Sequence, residues 1–135
     1  MVASLLPAAL VLAAPQASAP IDAMRWEERV LLVFAPQERD AALSKQRKIV
    51  GADGDGFRDR ELRIVEVVGE SVAGARDYAP RLRQRYRIAS DEFAAVLVGK
   101  DGTVKLRTNR PIDTAQLFTT IDSMPMRQRE MTGAH

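Results

Sequence analysis

The chain has 135 residues, with 20 basic and 18 acidic side chains, a net charge of +2, one histidine and no cysteine. That length allows one domain, and so slight a basic excess argues against nucleic acid as a partner. The lack of cysteine excludes disulfides and thiol redox chemistry. The single histidine is the terminal His135, which leaves no Ser-His-Asp triad, Cys-His pair or histidine-rich zinc site.

Residues 1–19 carry no charged side chain, and Leu5 to Ala14 form an apolar run that ends in Ala17-Ser18-Ala19. Such a run before an A-x-A site reads as a signal peptide, because a membrane span needs roughly twenty apolar residues. The expectation is a signal peptide at 1–19 and a single domain at 20–135. The mature protein is then periplasmic or secreted, with no transmembrane segment after cleavage. An N-terminal helix of the mature fold is the competing reading. In its favour, no basic residue precedes the run, and Pro20 would follow the cut. A cysteine-free exported domain of this size must rely on its own core.

Pro20 to Glu28 reads as an entry segment anchored by Trp26. Val30 to Ala35 is a continuous apolar run of strand length, as in a strand covered on both faces. Pro36 ends it, and Glu38 to Val50 follows as a helix with Ala42, Leu43, Ile49 and Val50 on one face, stopped by Gly51. A Gly- and Asp-rich loop, Gly51 to Gly56, leads to a second strand at Leu62 to Val68. Asp77 reads as the cap of a helix with Pro80 in its first turn and Tyr78, Leu82 and Tyr86 along one face. Phe93 to Val98 is a third strand, and Lys100-Asp101-Gly102 supplies a hairpin turn. In the fourth strand, Thr103 to Arg107, Val104 and Leu106 face inward. Asp113, with Gln116 three residues on, opens a closing amphipathic helix that buries Leu117, Phe118 and Ile121. The order is βαβαββα, read as two parallel β-α-β steps, a hairpin and a helix. This α/β pattern, a central mixed sheet flanked by helices, resembles the thioredoxin architecture.

Two motifs suggest metals. Gly51 to Leu62 places Asp53, Asp55 and Asp59 at ligand positions of a calcium-binding loop, but Gly51 and Leu62 occupy the first and last positions and Glu61 stands one place short. A polar turn is the better account. Met124, Met126 and Met131 suggest a thioether site for Cu(I), yet no Cys or His joins them, and methionine more often fills gaps or forms adaptable contact surfaces. No metal and no cofactor is expected. Arg81, Arg83, Arg85 and Arg87 crowd one helix, with 81/85 and 83/87 at i,i+4, where like charges repel unless an anion meets them. Guanidinium groups grip phosphate or carboxylate in bidentate fashion. The plainer reading is a solvated face opposite Tyr78, Leu82 and Tyr86.

Thioredoxins carry a CxxC at the strand-to-helix junction, where this chain has Ala35-Pro36-Gln37-Glu38, and a cis proline before the third strand, where it has Ala94. A closer resemblance lies in LLVFAP at Leu31 to Pro36, VLVGKDGTVKLR at Val96 to Arg107 and IDSMPMRQREM at Ile121 to Met131. These strings resemble an uncharacterised thioredoxin-like domain of bacterial envelope proteins, shared with animal extracellular proteins that include sushi-repeat-containing matrix proteins. The family has been likened to peroxiredoxins and offers no catalytic residues to carry over. The reading is therefore an exported, non-redox binding or accessory domain with no assigned catalytic residue, whose partner is a protein or an anionic envelope component. Expected contacts are Arg81, Arg83, Arg85, Arg87, Pro36, Gln37, Met124, Met126 and Arg127. The alternative is a peroxiredoxin-related enzyme using non-cysteine chemistry at the Pro36–Glu38 junction, where a strand end meets a helix N-terminus.

Overall fold

The computed structural model describes residues 19–133. The expected leader lies outside them except for Ala19, as does His135. A 3₁₀ turn at Ile21–Met24 precedes β1 (Arg29–Ala35), α1 (Ala41–Ala52), α2 (Gly54–Asp59), β2 (Leu62–Val68), β3 (Ser71–Ala73), α3 (Ala79–Tyr86), β4 (Ala94–Val98), β5 (Val104–Thr108), α4 (Thr114–Asp122) and α5 (Pro125–Thr132). The strands form one mixed sheet in the order β3-β2-β1-β4-β5. β1 pairs with β2 in parallel, Leu31 opposite Ile64, and with β4 in antiparallel, Leu31 opposite Leu97.

Only one of the two expected crossovers is thus parallel. The β2–β3 hairpin reverses the chain before α3 begins, so β4 enters at the Ala35 end of β1, with Ala94 opposite Phe34. β1 is buried along its whole length because helices cover both faces of the sheet. Val30, Leu32 and Phe34 meet Ile21, Met24, Leu82 and Tyr86 on one side. Leu31, Val33 and Ala35 meet Leu43, Phe57, Leu117 and Ile121 on the other. The alternation follows from the two-residue side-chain period of a strand.

Several local expectations change for identifiable reasons. α1 starts at Ala41 because the Asp40 carboxylate accepts from Leu43 N at 3.1 Å, and it runs through Gly51 to Ala52. The Gly-Asp segment contains a short helix, since Asp53 accepts from Gly56 N at 3.0 Å and caps α2. A Cβ on Gly56 would lie 2.8 Å from the Phe118 ring, so packing requires the glycine. Asp77 does not cap α3; its carboxylate accepts from Ile21 N at 2.9 Å and ties down the entry segment. Ile21 and Met24 anchor that segment, whereas Trp26 is 60% exposed. Val104 is exposed, beside a register shift at Leu97/Val98. The closing helix is two helices, because Pro125 cannot continue α4 and instead opens α5.

Candidate functional site

The Pro36–Glu38 junction is the site of the alternative, enzymatic reading. Pro36 is half-buried, and Gln37 and Glu38 are exposed. Arg47 grips Glu38 at 3.0 and 3.2 Å and Glu66 at 2.7 and 2.9 Å. Those hydrogen bonds and the Arg47 charge hold the Glu38 carboxyl below its ordinary range. A general base working near neutrality needs the opposite shift. The buried group beside the junction is Arg83, which donates to Ala35 O at 3.0 Å and Gly69 O at 2.5 Å while its Nε–H has no partner.

Arg83 corrects the picture of four arginines on one open helix face. Ala79, Leu82, Arg83 and Tyr86 recur at i, i+3, i+4 and i+7, so Arg83 lies on the buried stripe. Tyr78, assigned to that stripe from sequence, precedes the helix and is 74% exposed. Arg85 pairs with Asp22 at 2.9 Å. Arg87 ends the helix in a left-handed conformation, φ 58°. Arg81 shares a shallow, mixed-charge depression with Asp22, Asp77 and Arg85. The helix therefore presents no unbroken arginine surface.

The opposite end of β1 is more organised. Arg29 is fully buried and donates to Arg60 O at 2.8 Å and to both oxygens of Glu130 at 3.2 and 3.1 Å. Lys100 Nζ donates to Glu130 at 2.8 Å and Glu61 at 2.7 Å. Arg127 donates to Asp122 at 3.0 Å and Asp59 at 2.8 Å, and Arg60 donates to Asp122 at 3.0 Å through two nitrogens. Burial alone would raise the Glu130 and Asp122 carboxyls. The hydrogen bonds from Arg29 and Lys100, and from Arg60 and Arg127, outweigh it and hold both low. Arg127, expected at the surface, is buried in this network, and it is the one buried residue of α5. Charge holds that helix down where apolar packing usually would.

Above the network is a cleft of about 340 Å³. The entry segment contributes Trp26, the β4–β5 turn contributes Gly99, Lys100, Asp101 and Lys105, and the α4–α5 corner contributes Met124, Pro125, Met126 and Arg129, with Arg29 of β1 also on its wall. The turn closes through Gly99 N to Thr103 O at 2.9 Å, with Gly102 in the left-handed region at φ 84°. Hydrogen bonds from Thr103 N, then Thr103 Oγ and Lys105 Nζ, pull the Asp101 carboxyl down to about 2. Trp26 has φ 71°, and its N–H donates to Lys100 O at 2.6 Å. Of the sequence-predicted contacts, Met124 and Met126 meet here, while the α3 arginines, Pro36 and Gln37 do not. Sequence reasoning missed Lys100, Lys105 and Arg129. Their signal was present, since GKDG-x-VK and the Met-rich motif both carry the family resemblance and both line this cleft. Among the described residues no group of three His, Cys, Asp or Glu side chains is arranged to hold a metal, and no helix is long and apolar enough to cross a membrane.

The class this architecture defines is the thioredoxin fold. A reduced 2-Cys peroxiredoxin of Plasmodium vivax superposes with a TM-score of 0.60, 14% identity and coverage of 81% of this chain and 84% of that one. Thioredoxin peroxidase I of Plasmodium yoelii gives 0.58 at 14% identity, over 84% and 80% of the two chains. At this identity the likeness is one of fold alone. The chain belongs to the family described as Domain of unknown function (DUF4174), which matches residues 20–130. Similar proteins include human Sushi repeat-containing protein SRPX, 31% identical over 124 residues, and Xenopus laevis Sushi repeat-containing protein SRPX2, 28% identical over 125 residues. Coiled-coil domain-containing protein 80 of Danio rerio is 25% identical over 129 residues. The matches cover 85%, 86% and 79% of this chain, which spans 27% of each sushi-repeat protein and 15% of the coiled-coil one.

Proposed function

We propose that this is an exported, thiol-free binding domain that holds an acidic site on a protein or other envelope component in the cleft between Trp26, the β4–β5 turn and the α4–α5 corner. The observation that carries the reading is the cleft's lining: four basic residues and one acid around Trp26, Met124 and Met126. Tryptophan, methionine and arginine are the residue types enriched at interface cores. The buried ion-pair network fixes this wall, so the contacts are set before a partner arrives, which lowers the cost of ordering them. Export supplies the setting in which such a domain, free of disulfides, stands on its two packed core layers.

The test uses the exported protein, immobilised, against envelope extract of its native host, beside the double variant Met126→Ala/Arg129→Glu. A captured species that weakens with rising salt and disappears with the double variant is the expected result, since exposed charge pairs are screened over roughly 8–10 Å near physiological ionic strength. Equal capture by both proteins would overturn the assignment of the cleft.

A further inference from the structure

We infer that the cleft's occupant is an acidic peptide segment of a partner protein, presenting one apolar side chain to Trp26 and Met126 while its carboxylates meet Arg129; this rests on the binding reading above. Three independent features converge. The first is charge. Lys105 is answered by Asp101, and Arg29 and Lys100 share Glu130, but Arg129 makes no ion pair among the described residues. Arg129 is exposed, and a carboxylate is a strong acceptor for a guanidinium.

The second feature is the backbone of Trp26. A bulky residue at φ 71° sits where L side chains are disfavoured by roughly 1–2 kcal/mol. Strain of this kind persists where the surroundings enforce it and gathers at ligand clamps. Here the Trp26 N–H bond to Lys100 O enforces it and leaves the indole 60% exposed beside the cleft. As a core anchor it is in the wrong place. The third feature is size. A volume of about 340 Å³ lies at the small end of ligand pockets, which run from roughly 300 to 1,000 Å³. It suits one side chain and its flanking backbone. A polyanion without apolar groups would leave the Trp26–Met126 wall unused.

Trp26 is the chain's one tryptophan, so its fluorescence reports the cleft directly. The probes are short tryptophan-free peptides of Asp and Glu with a single Leu, Ile, Phe or Tyr. Controls replace the apolar residue with Ser or the acids with Lys, and phosphatidylglycerol vesicles form a third arm. A saturable blue shift with the acidic apolar peptides alone is expected, at least tenfold weaker for Arg129→Glu. Trp26→Gly, followed with fluorescein-labelled peptide, should lose binding while its melting temperature holds or rises, because glycine relieves the positive φ. A Trp26 that is merely structural would give the reverse. No saturable shift, an equal shift with the Ser or Lys controls, or a shift with vesicles alone would overturn the peptide assignment. If the extract partner is still lost with Met126→Ala/Arg129→Glu, only the ligand class is wrong; if that capture is unchanged too, the cleft reading itself has failed.

Discussion

Replacing Glu130 with Ala tests whether the charge network holds the last helix in place. The side chain accepts two bonds from Arg29 and one from Lys100. Lys100 keeps Glu61 at 2.7 Å, and Arg127 keeps Asp59 and Asp122, so the loss concentrates on Arg29. That guanidinium, buried in the wild-type chain, would keep Arg60 O as its remaining partner. Removing one member of a buried ion pair costs about 3–5 kcal/mol, and water entering from the adjacent cleft places the loss near the lower end. For a domain of this size about 3 kcal/mol lowers the melting temperature by roughly 12 °C. Thermal and urea unfolding followed by circular dichroism would measure it. The double change Arg29→Met/Glu130→Met should recover most of the loss, because apolar replacement of a buried pair is often neutral. Glu38→Ala removes an exposed partner of Arg47 and serves as the control that leaves the melting temperature where it was. If Glu130→Ala stays within about 0.5 kcal/mol of wild type, as surface substitutions do, the network is ornamental and the reasoning fails.

Glu130 and Asp122 both titrate below their ordinary values in the folded chain. Their stabilisation is therefore complete above the unfolded values, near 4.3 for Glu and 3.9 for Asp, and is lost as pH falls through the folded ones; an acid titration of stability should drop below about pH 4, and Glu130→Gln should flatten that drop. Arg83→Met should cost about 1–2 kcal/mol, since Gly69 O loses its donor while Ala35 O keeps Gly69 N at 3.1 Å. Arg83→Glu should exceed 3 kcal/mol by setting a carboxylate against two carbonyl oxygens in a buried site, as chemical denaturation would show. Purified protein should give no disulfide reductase and no thiol-dependent peroxidase turnover, because no sulfenate or disulfide can form without cysteine; turnover above a metal-free blank would refute this.

The sheet was legible where residue pattern and burial coincide. Leu62–Val68 is bounded as its apolar run predicts, and Asp113 caps α4 by accepting from Gln116 N at 2.8 Å. The direction of β4 was not legible, because a three-residue strand with two exposed members, Ser71 and Ala73, leaves almost no hydrophobic signature. The cleft was half legible. Met124 and Met126 stood out as residue types, but their neighbours come from three separate stretches of chain. Arg83 could have been found, since its spacing with Ala79, Leu82 and Tyr86 is that of a core stripe. Its charge argued for solvent, and the carbonyls of Ala35 and Gly69 that make burial tolerable are brought to it by tertiary structure.

The contact between Arg29 and Glu130 joins residues 101 apart in sequence. A ribosome makes Arg29 101 residues before the matching carboxylate. Until α5 exists, pairing the Arg29 end of β1 means drying a cation with nothing to neutralise it, so that end of the sheet gains little from closing early. Such long-range closure slows folding. Helix α5, with a charged residue as its one buried member, decides when this end of the sheet can close.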